Sequence, residues 1–372
     1  MEEQARKIKL VLISPELTAS QVSREILYFL ANFDRKIFNL FLICPDGYLL
    51  READKIQSVE IIKFSHKKGF LANILLMRSH LLDIQAKSYP FDPLIIHCFD
   101  LRMGIFSRLG LPPKAVSVLS INDPESLLRW KWPKKFFADE FSRFLNYSKT
   151  VLITVPSLPI KNLLMTRKLA PSEKTVVLPS LFEENYKKKK IKEVNKEPII
   201  GISAVNWDKN SVLNLAELLH IFLAKCPMGS FEIVTDDQGK NLLDSQIKIQ
   251  GYERHLATFR SDSEAKINNW DALLVMPMPL IFEEKIINQC MEIGVPMVGD
   301  GQSLSGIIKD GKNGLLFYAA TPLQIYRKIE EIINHPAKSA RYKQENIKII
   351  KEHGSKNIKI LEQIYKNIIQ TI

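Results

Sequence analysis

Glycine is scarce in this chain: 15 residues in 372, about 4%, where roughly 7% is usual. Such a backbone has few places where it can approach a phosphate closely, which argues against a glycine-rich phosphate loop. Cysteine is scarcer still. Cys44, Cys98, Cys226 and Cys290 lie far apart in apolar surroundings with no C-x-x-C pairing, which excludes a disulfide framework and predicts reduced core thiols. No run of eighteen apolar residues occurs, so no membrane-spanning helix is expected. The opening "MEEQARKIKLVLI" has acids and no cleavable apolar region with a small-residue exit, and the expected location is the cytoplasm. His66, His80, His220, His255, His335 and His353 have no partner at metal-ligand spacing, so they read as surface or packing residues and no metal or other cofactor is implied.

What is present is an ordinary globular composition, 46% hydrophobic and 25% charged. At this length the default is two domains, each able to bury a core. The formal charge of +11 is uneven: residues 1–186 hold 26 Lys/Arg against 19 Asp/Glu, a net +7, which leaves +4 for the rest. Without Lys187, Lys188, Lys189, Lys190 and Lys192 the second half falls to −1. The basicity therefore belongs to the first half and to one short segment, and suggests an anionic surface nearby. The lysine run is too short and too isolated to read as a nucleic-acid site.

The apolar pattern alternates. "IKLVLI" (8–13) is a continuous run suited to a buried strand, "SREILYFLANF" (23–33) follows at helical spacing, and "FNLFLICPDG" (38–47) is a strand stopped by Pro45 and Gly47. "SVEIIKF", the helical "GFLANILLMRSHLLDIQAK", "DPLIIHCF", a helix near "RMGIFSRLG", "AVSVLSI", a basic aromatic helix around 129–147, "TVLITV" and "KTVVLP" complete the first half. "ENYKKKKIKEVNKEP" (184–198) breaks the pattern with charge and a proline, and marks a linker. Alternation then restarts with "PIIGISAV", "SVLNLAELLHIFLAKC", "SFEIVTD", "SQIKIQG", "NNWDALLVMP", a helix over 283–293, "VPMVGDG", "NGLLF" and helices from 322 onward. Strands alternating with helices predict parallel sheets covered on both faces. The expected fold is α/β, two Rossmann-like doubly wound domains facing a cleft. Their bounds are 1–183 on the acceptor side and 199–350 on the nucleotide side, with a helix over 351–372 that packs back on the first domain.

The order of elements and several fragments resemble the GT-B glycosyltransferases, closest to the large retaining group-1 family (family four). The likeness runs through almost the whole chain. "DPLIIHCFD" resembles the family's first-domain strand ending in a histidine, "VVLPSLFEENY" its "IPNGVD…F", and "GVPMV…IIKDGKNGLLF" its "GxPVV…EIIxDGxNGLLV". Asp310, Gly311, Asn313 and Gly314 keep the last turn intact, although such turns are common anywhere.

The resemblance implies a nucleotide diphosphate held by an arginine and a lysine, carboxylates on ribose and donor sugar, and a first-domain histidine at the reacting centre. In this chain Lys209 stands for the lysine, with Ser203 or Ala204 in place of the arginine. The degenerate E-x7-E pair falls at Ile281 and Gln289, with Glu283 and Glu284 close by. These two acids either reach a donor hydroxyl or simply favour a helix N-terminus. Ser305 or Gly306 replaces a further glutamate, and backbone amides at Gly301, Gln302 and Ser303 are candidates for phosphate. Asn122 stands where the family's centre has histidine, with Asp123 next to it. "SPELTASQ" replaces the usual glycine pair, placing Ser20 and Gln21 on the acceptor side. His97 is a cleft-lining residue or a hydrogen-bonded core histidine.

"RWKWPKKFFADEFSRF" (129–144) interleaves Arg129, Lys131, Lys134 and Lys135 with Trp130 and Trp132. That mixture suits the inner face of an anionic membrane, a protein partner, or plain packing. The leading expectation is transfer of a sugar from a nucleotide-sugar to a glycan, lipid-linked saccharide or protein acceptor. Its rival is a catalytically inactive GT-B protein that scaffolds or chaperones an active glycosyltransferase or binds glycan, and an epimerase or phosphorylase on the same fold is the third.

Overall fold

The computed structural model describes residues 6–18, 20–87, 92–122, 150–179, 197–204, 209–235, 240–241, 243, 252–260, 267–276, 284–304, 306–318 and 320–370. Contacts divide the chain into one unit of Met1–Ser180 with Gly354–Ile372 and another of Leu181–His353. The expected linker lies, but for its last two residues, outside the described residues.

In the first unit the strands are β1 (Ile8–Ile13), β2 (Phe38–Cys44), β3 (Val59–Lys63), β4 (Leu94–Cys98), β5 (Ala115–Ser120), β6 (Thr150–Val155) and β7 (Thr175–Val177). They form one parallel sheet in the order β3-β2-β1-β4-β5-β6-β7. Period-two alternation sends Val11 and Ile13 to one face and Leu10 and Leu12 to the other, so β1 is apolar throughout because both faces are covered. The first face meets α3 (Phe70–Ala86), α4 (Leu101–Leu109) and α5 (Leu158–Thr166) through Met77, Leu81, Phe106 and Leu164. On the second face lie α1 (Gln21–Asn32), through Ile26, Phe29 and Leu30, and the end of the chain's longest helix, through Ile358, Leu361 and Tyr365. A four-residue α2 (Leu50–Ala53) bridges β2 and β3. The helix expected from residue 23 begins at Gln21 because the Ser20 side chain caps it, accepting from Ser23 N at 3.3 Å.

The second unit repeats the plan. Its strands β8 (Ile199–Ala204), β9 (Ser230–Thr235), β10 (Leu256–Arg260), β11 (Ala272–Val275), β12 (Met297–Asp300) and β13 (Leu315–Phe317) run parallel in the order β10-β9-β8-β11-β12-β13. One face of the sheet is covered by α6 (Lys209–Lys225) and α8 (Pro322–Asn334), the other by α7 (Glu284–Ile293). The last helix, α9 (Pro336–Gln370), is continuous, with Tyr342 and Ile350 in the second unit's cores. β10 was not expected: "SQIKIQG" was assigned that strand, and it lies outside the described residues.

All four cysteines are free, three of them buried, and burial pushes the Cys44 and Cys98 thiols up to about 12. Among the described residues no helix is long and apolar enough to cross a membrane.

Candidate functional site

In both sheets the strand order reverses direction beside the first strand, and in open α/β sheets ligands bind outside the carboxyl ends of the strands at that point. In the first unit the reversal lies between β1 and β4, and a crevice opens there. Pro15 and Glu16 follow β1, Ser20 and Val22 open α1, Phe99 and Asp100 follow β4, and Ser120 and Asn122 end β5. Its volume is about 160 Å³, similar to a cavity that takes one six-membered ring.

Serines, not glycines, shape the rim. Ser14 Oγ and Ser23 Oγ both donate to Glu16 O, the latter at 3.0 Å, while the Ser20 and Ser23 hydroxyls share a 2.9 Å hydrogen bond. Asp100 caps α4 by accepting from Met103 N at 3.0 Å. Two acidic residues, Glu16 and Asp100, line the crevice, and among the described residues no lysine or arginine does. Asn122 Nδ2 is buried and has no hydrogen-bond partner among the described residues. Leaving such a donor unsatisfied costs about 1–3 kcal/mol, so a ligand oxygen that accepts from it gains that energy back. Gln21, half-buried in the first turn of α1, sits beside this rim without lining it.

Of the two readings of His97 the core one holds. Its side chain is fully buried in β4, Nδ1 lies 2.6 Å from Tyr365 Oη, Nε2 lies 2.7 Å from Ser120 Oγ, and the ring stacks on Phe99 at 4.3 Å. Burial pulls its pKa down to about 3, so the imidazole is neutral. Both nitrogens are engaged within the fold, and His97 is not among the residues that line the crevice. It supports the two crevice residues Phe99 and Ser120, and Ser120 is braced again by Thr154 Oγ1 at 2.5 Å. Sequence reasoning missed Ser120, Glu16 and Asp100; their signal was position, with Ser120 the last residue of β5, Asp100 two residues past β4 and Glu16 in the loop after β1.

The second unit handles its turn after β12 differently. Gly301 N donates to Phe317 O at 2.7 Å, and Ser303 N and Oγ both donate to Asp300 Oδ2 at 2.9 Å. A Cβ on Gly301 would lie 2.1 Å from the Tyr318 ring. Two of the three amides expected to meet phosphate are thus engaged within the fold, that of Ser303 by the Asp300 carboxylate. This corrects the expectation for Gly301 and Ser303; Gln302, between them, is exposed.

The best-matching motif is also internal. Asn313 is fully buried, accepts from Lys309 N at 2.7 Å, and donates to Asn346 Oδ1 of α9 at 2.9 Å, while Asp310 Oδ1 accepts from Leu316 N at 2.8 Å. Gly311, at φ +69°, makes the turn. Gly294, at φ +86°, ends α7 by donating to Cys290 O at 2.8 Å.

Ser203 is buried near the end of β8, beside Val234 and Val275. Lys209 is the first residue of α6, Glu284 the first of α7, and Gln289 is half-buried on α7. Asp123, Glu283, Ser305 and the patch from Arg129 to Lys135, with Trp130, Lys131, Trp132 and Lys134, lie outside the described residues.

Neither a protein-family model nor a curated protein matches the sequence. Solved structures do. A glycosyltransferase from Rickettsia africae ESF-5 matches 98% of this chain and 100% of its own at TM-score 0.70 and 15% identity. The Anabaena protein HepE in complex with UDP-glucose matches over the same shares at TM-score 0.68 and 14% identity. A Thermobaculum terrenum O-GlcNAc transferase variant matches 98% of this chain and 68% of its own at TM-score 0.64 and 13% identity. At such identities the likeness establishes the fold: two doubly wound α/β domains in the GT-B architecture.

Proposed function

We propose that this protein is a glycosyltransferase that takes a sugar from a nucleotide-sugar and adds it to a hydroxyl of a glycan, lipid-linked saccharide or protein. The observation that carries this is the first-domain crevice at the switch point of a GT-B fold, sized for one sugar ring and holding an unengaged donor, Asn122 Nδ2. The acceptor sugar lies there, with Asn122 donating to one of its oxygens and the braced Ser120 hydroxyl fixing its orientation. Glu16 and Asp100 make the crevice unfavourable to an anionic group, so the reacting unit of the acceptor is uncharged.

The donor belongs to the second domain. Lys209 opens a 17-residue helix whose N-terminal dipole adds to its charge, and the pair neutralises the departing phosphate. Glu283, Glu284, Gln289 and Ser305 contact the ribose and donor sugar.

Isothermal titration with UDP-, GDP-, ADP- and CDP-sugars tests this, with UDP-glucose first because HepE is seen bound to it. One donor is expected to bind, and Lys209→Ala to weaken it several-fold. No nucleotide binding at millimolar ligand rejects the enzyme and favours the second reading, a catalytically inactive GT-B protein that scaffolds a partner or binds glycan. The specific support for that alternative is Asp300, whose carboxylate engages the Ser303 amide.

A further inference from the structure

Phe64 to Leu82 contains no Asp or Glu but has Lys67, Lys68 and Arg78, and Leu101 to Asn122 contains none but has Arg102, Arg108 and Lys114. The two stretches meet in the fold, because α3 and α4 pack side by side. A second hollow, about 210 Å³, opens between them with Lys67, Phe70, Asn73, Arg102 and Phe106 in its lining. Phe70 lies 5.6 Å from the Phe106 ring, and the Arg102 guanidinium sits 5.7 Å over that same ring. Buried Asn73 ties the loop down: it accepts from Lys67 N at 2.9 Å and donates to Gly69 O at 2.7 Å, so the two lysines leave a braced base.

Next to these cations, apolar side chains face water. Phe70 is 53% exposed, Leu71 72% and Leu75 67%. Leu71, Leu75, Arg78 and Leu82 follow one face of the helix at its natural spacing. Scattered single leucines on a surface need no explanation, but an aromatic and two leucines beside three exposed cations, with no carboxylate in either stretch, have the chemistry of a bilayer interface.

We propose that this edge of the first domain docks on an anionic lipid bilayer. Phe70, Leu71 and Leu75 enter the boundary between headgroups and acyl chains, and a headgroup phosphate sits between Lys67 and Arg102. Opposite charge complements the basic rim, and the acyl boundary beneath the headgroups gives the leucines an apolar medium. The loop from residue 64 leaves the same carboxyl edge of the sheet as the first-domain crevice. Docking there brings the crevice to the membrane surface, where a lipid-linked acceptor would be held.

Co-sedimentation with vesicles tests the surface without reference to donor binding. The full chain is expected to sediment with phosphatidylcholine vesicles holding 30% phosphatidylserine, taken as roughly a typical anionic surface, and to be released by high salt. Lys67→Ala with Lys68→Ala is expected to weaken partitioning about 25-fold, since each cation near such a surface adds about fivefold. Leu71→Ser with Leu75→Ser, both exposed and so harmless to folding by circular dichroism, is expected to weaken it at least about tenfold. Unchanged sedimentation of the leucine variant overturns the proposal. So does equal binding to pure phosphatidylcholine, failure of the wild type to sediment, or loss of binding only in Trp130→Ser with Trp132→Ser. Titration with nucleotide-sugars reads the other proposal independently.

Discussion

The two domains share one strand order, and in each an aspartate after or at a strand end takes the amide three residues on, Asp100 from Met103 and Asp300 from Ser303. They differ in what is left over. In the first, the crevice keeps a buried amide, Asn122 Nδ2, without a partner among the described residues. In the second, the turn after β12 satisfies itself: Asp300 takes the Ser303 amide and hydroxyl, Phe317 takes the Gly301 amide, and Tyr318 covers Gly301. A site ready for a ligand keeps hydrogen-bonding capacity in reserve, whereas a turn that serves the fold uses its own. Family-like sequence marks the second kind here. Asp310, Gly311, Asn313 and Gly314 match a glycosyltransferase motif, yet their bonds run to β13 and α9.

That contrast can be broken most sharply at Asp300. Asp300→Ala is expected to cost about 2–3 kcal/mol, because hydrogen bonds to a buried charge are worth that much, as read by urea unfolding. Asp300→Asn should keep part of that stability and raise, not lower, the affinity for inorganic pyrophosphate, since a like charge is removed. Weaker pyrophosphate binding would mean that the carboxylate holds the turn in its binding form.

His97 gives the next largest effect, and it lies under the first-domain crevice. Its folded pKa of about 3 is below the unfolded value of 6.5, so the unfolded chain takes up a proton first as pH falls. Stability is complete above pH 6.5 and declines toward pH 3 by about 1.4 kcal/mol per unit. Between pH 6.5 and 5 the loss attributable to this residue is about 2 kcal/mol, and His97→Gln should flatten that part of the pH profile. An identical slope in the variant would mean that the ring charges in the folded state.

The smallest effect is at Asn122. Because its donor is already unsatisfied, Asn122→Ala is expected to cause no loss of stability and to relieve part of the about 1–3 kcal/mol that the buried donor costs, while acceptor binding to the crevice weakens. A large loss of stability instead would show that the amide supports the fold, and the contrast between the two edges would disappear.

Much of the fold was legible in the sequence because continuous apolar strands and helical spacing are local signals. "IKLVLI", "DPLIIHCF" and "PIIGISAV" are each a strand within a residue or two of the expected bounds. Edge strand β10 was missed because "LATFR" pairs only with β9 and carries a weak apolar pattern. Helix α5 was missed because Pro159 is easily taken for a break, although proline is well tolerated in the first turn of a helix. The site was less legible. Asn122 and Ser20 were singled out and both line the crevice, whereas Glu16, Asp100 and Ser120 were not, and His97 is buried beneath it.

Sequence alone determined the alternation of strands and helices, the two-domain plan, the glycine-poor loops and the acid-free stretches that hold most of α3 and all of α4. Each depends on side-chain type and local spacing. Only the tertiary structure decided which polar groups are engaged, because the partners come from distant segments. Tyr365 reaches His97 across 268 positions and Asn346 reaches Asn313 across 33. No local pattern distinguishes an amide that waits for a ligand from one that a remote carbonyl or carboxylate already satisfies.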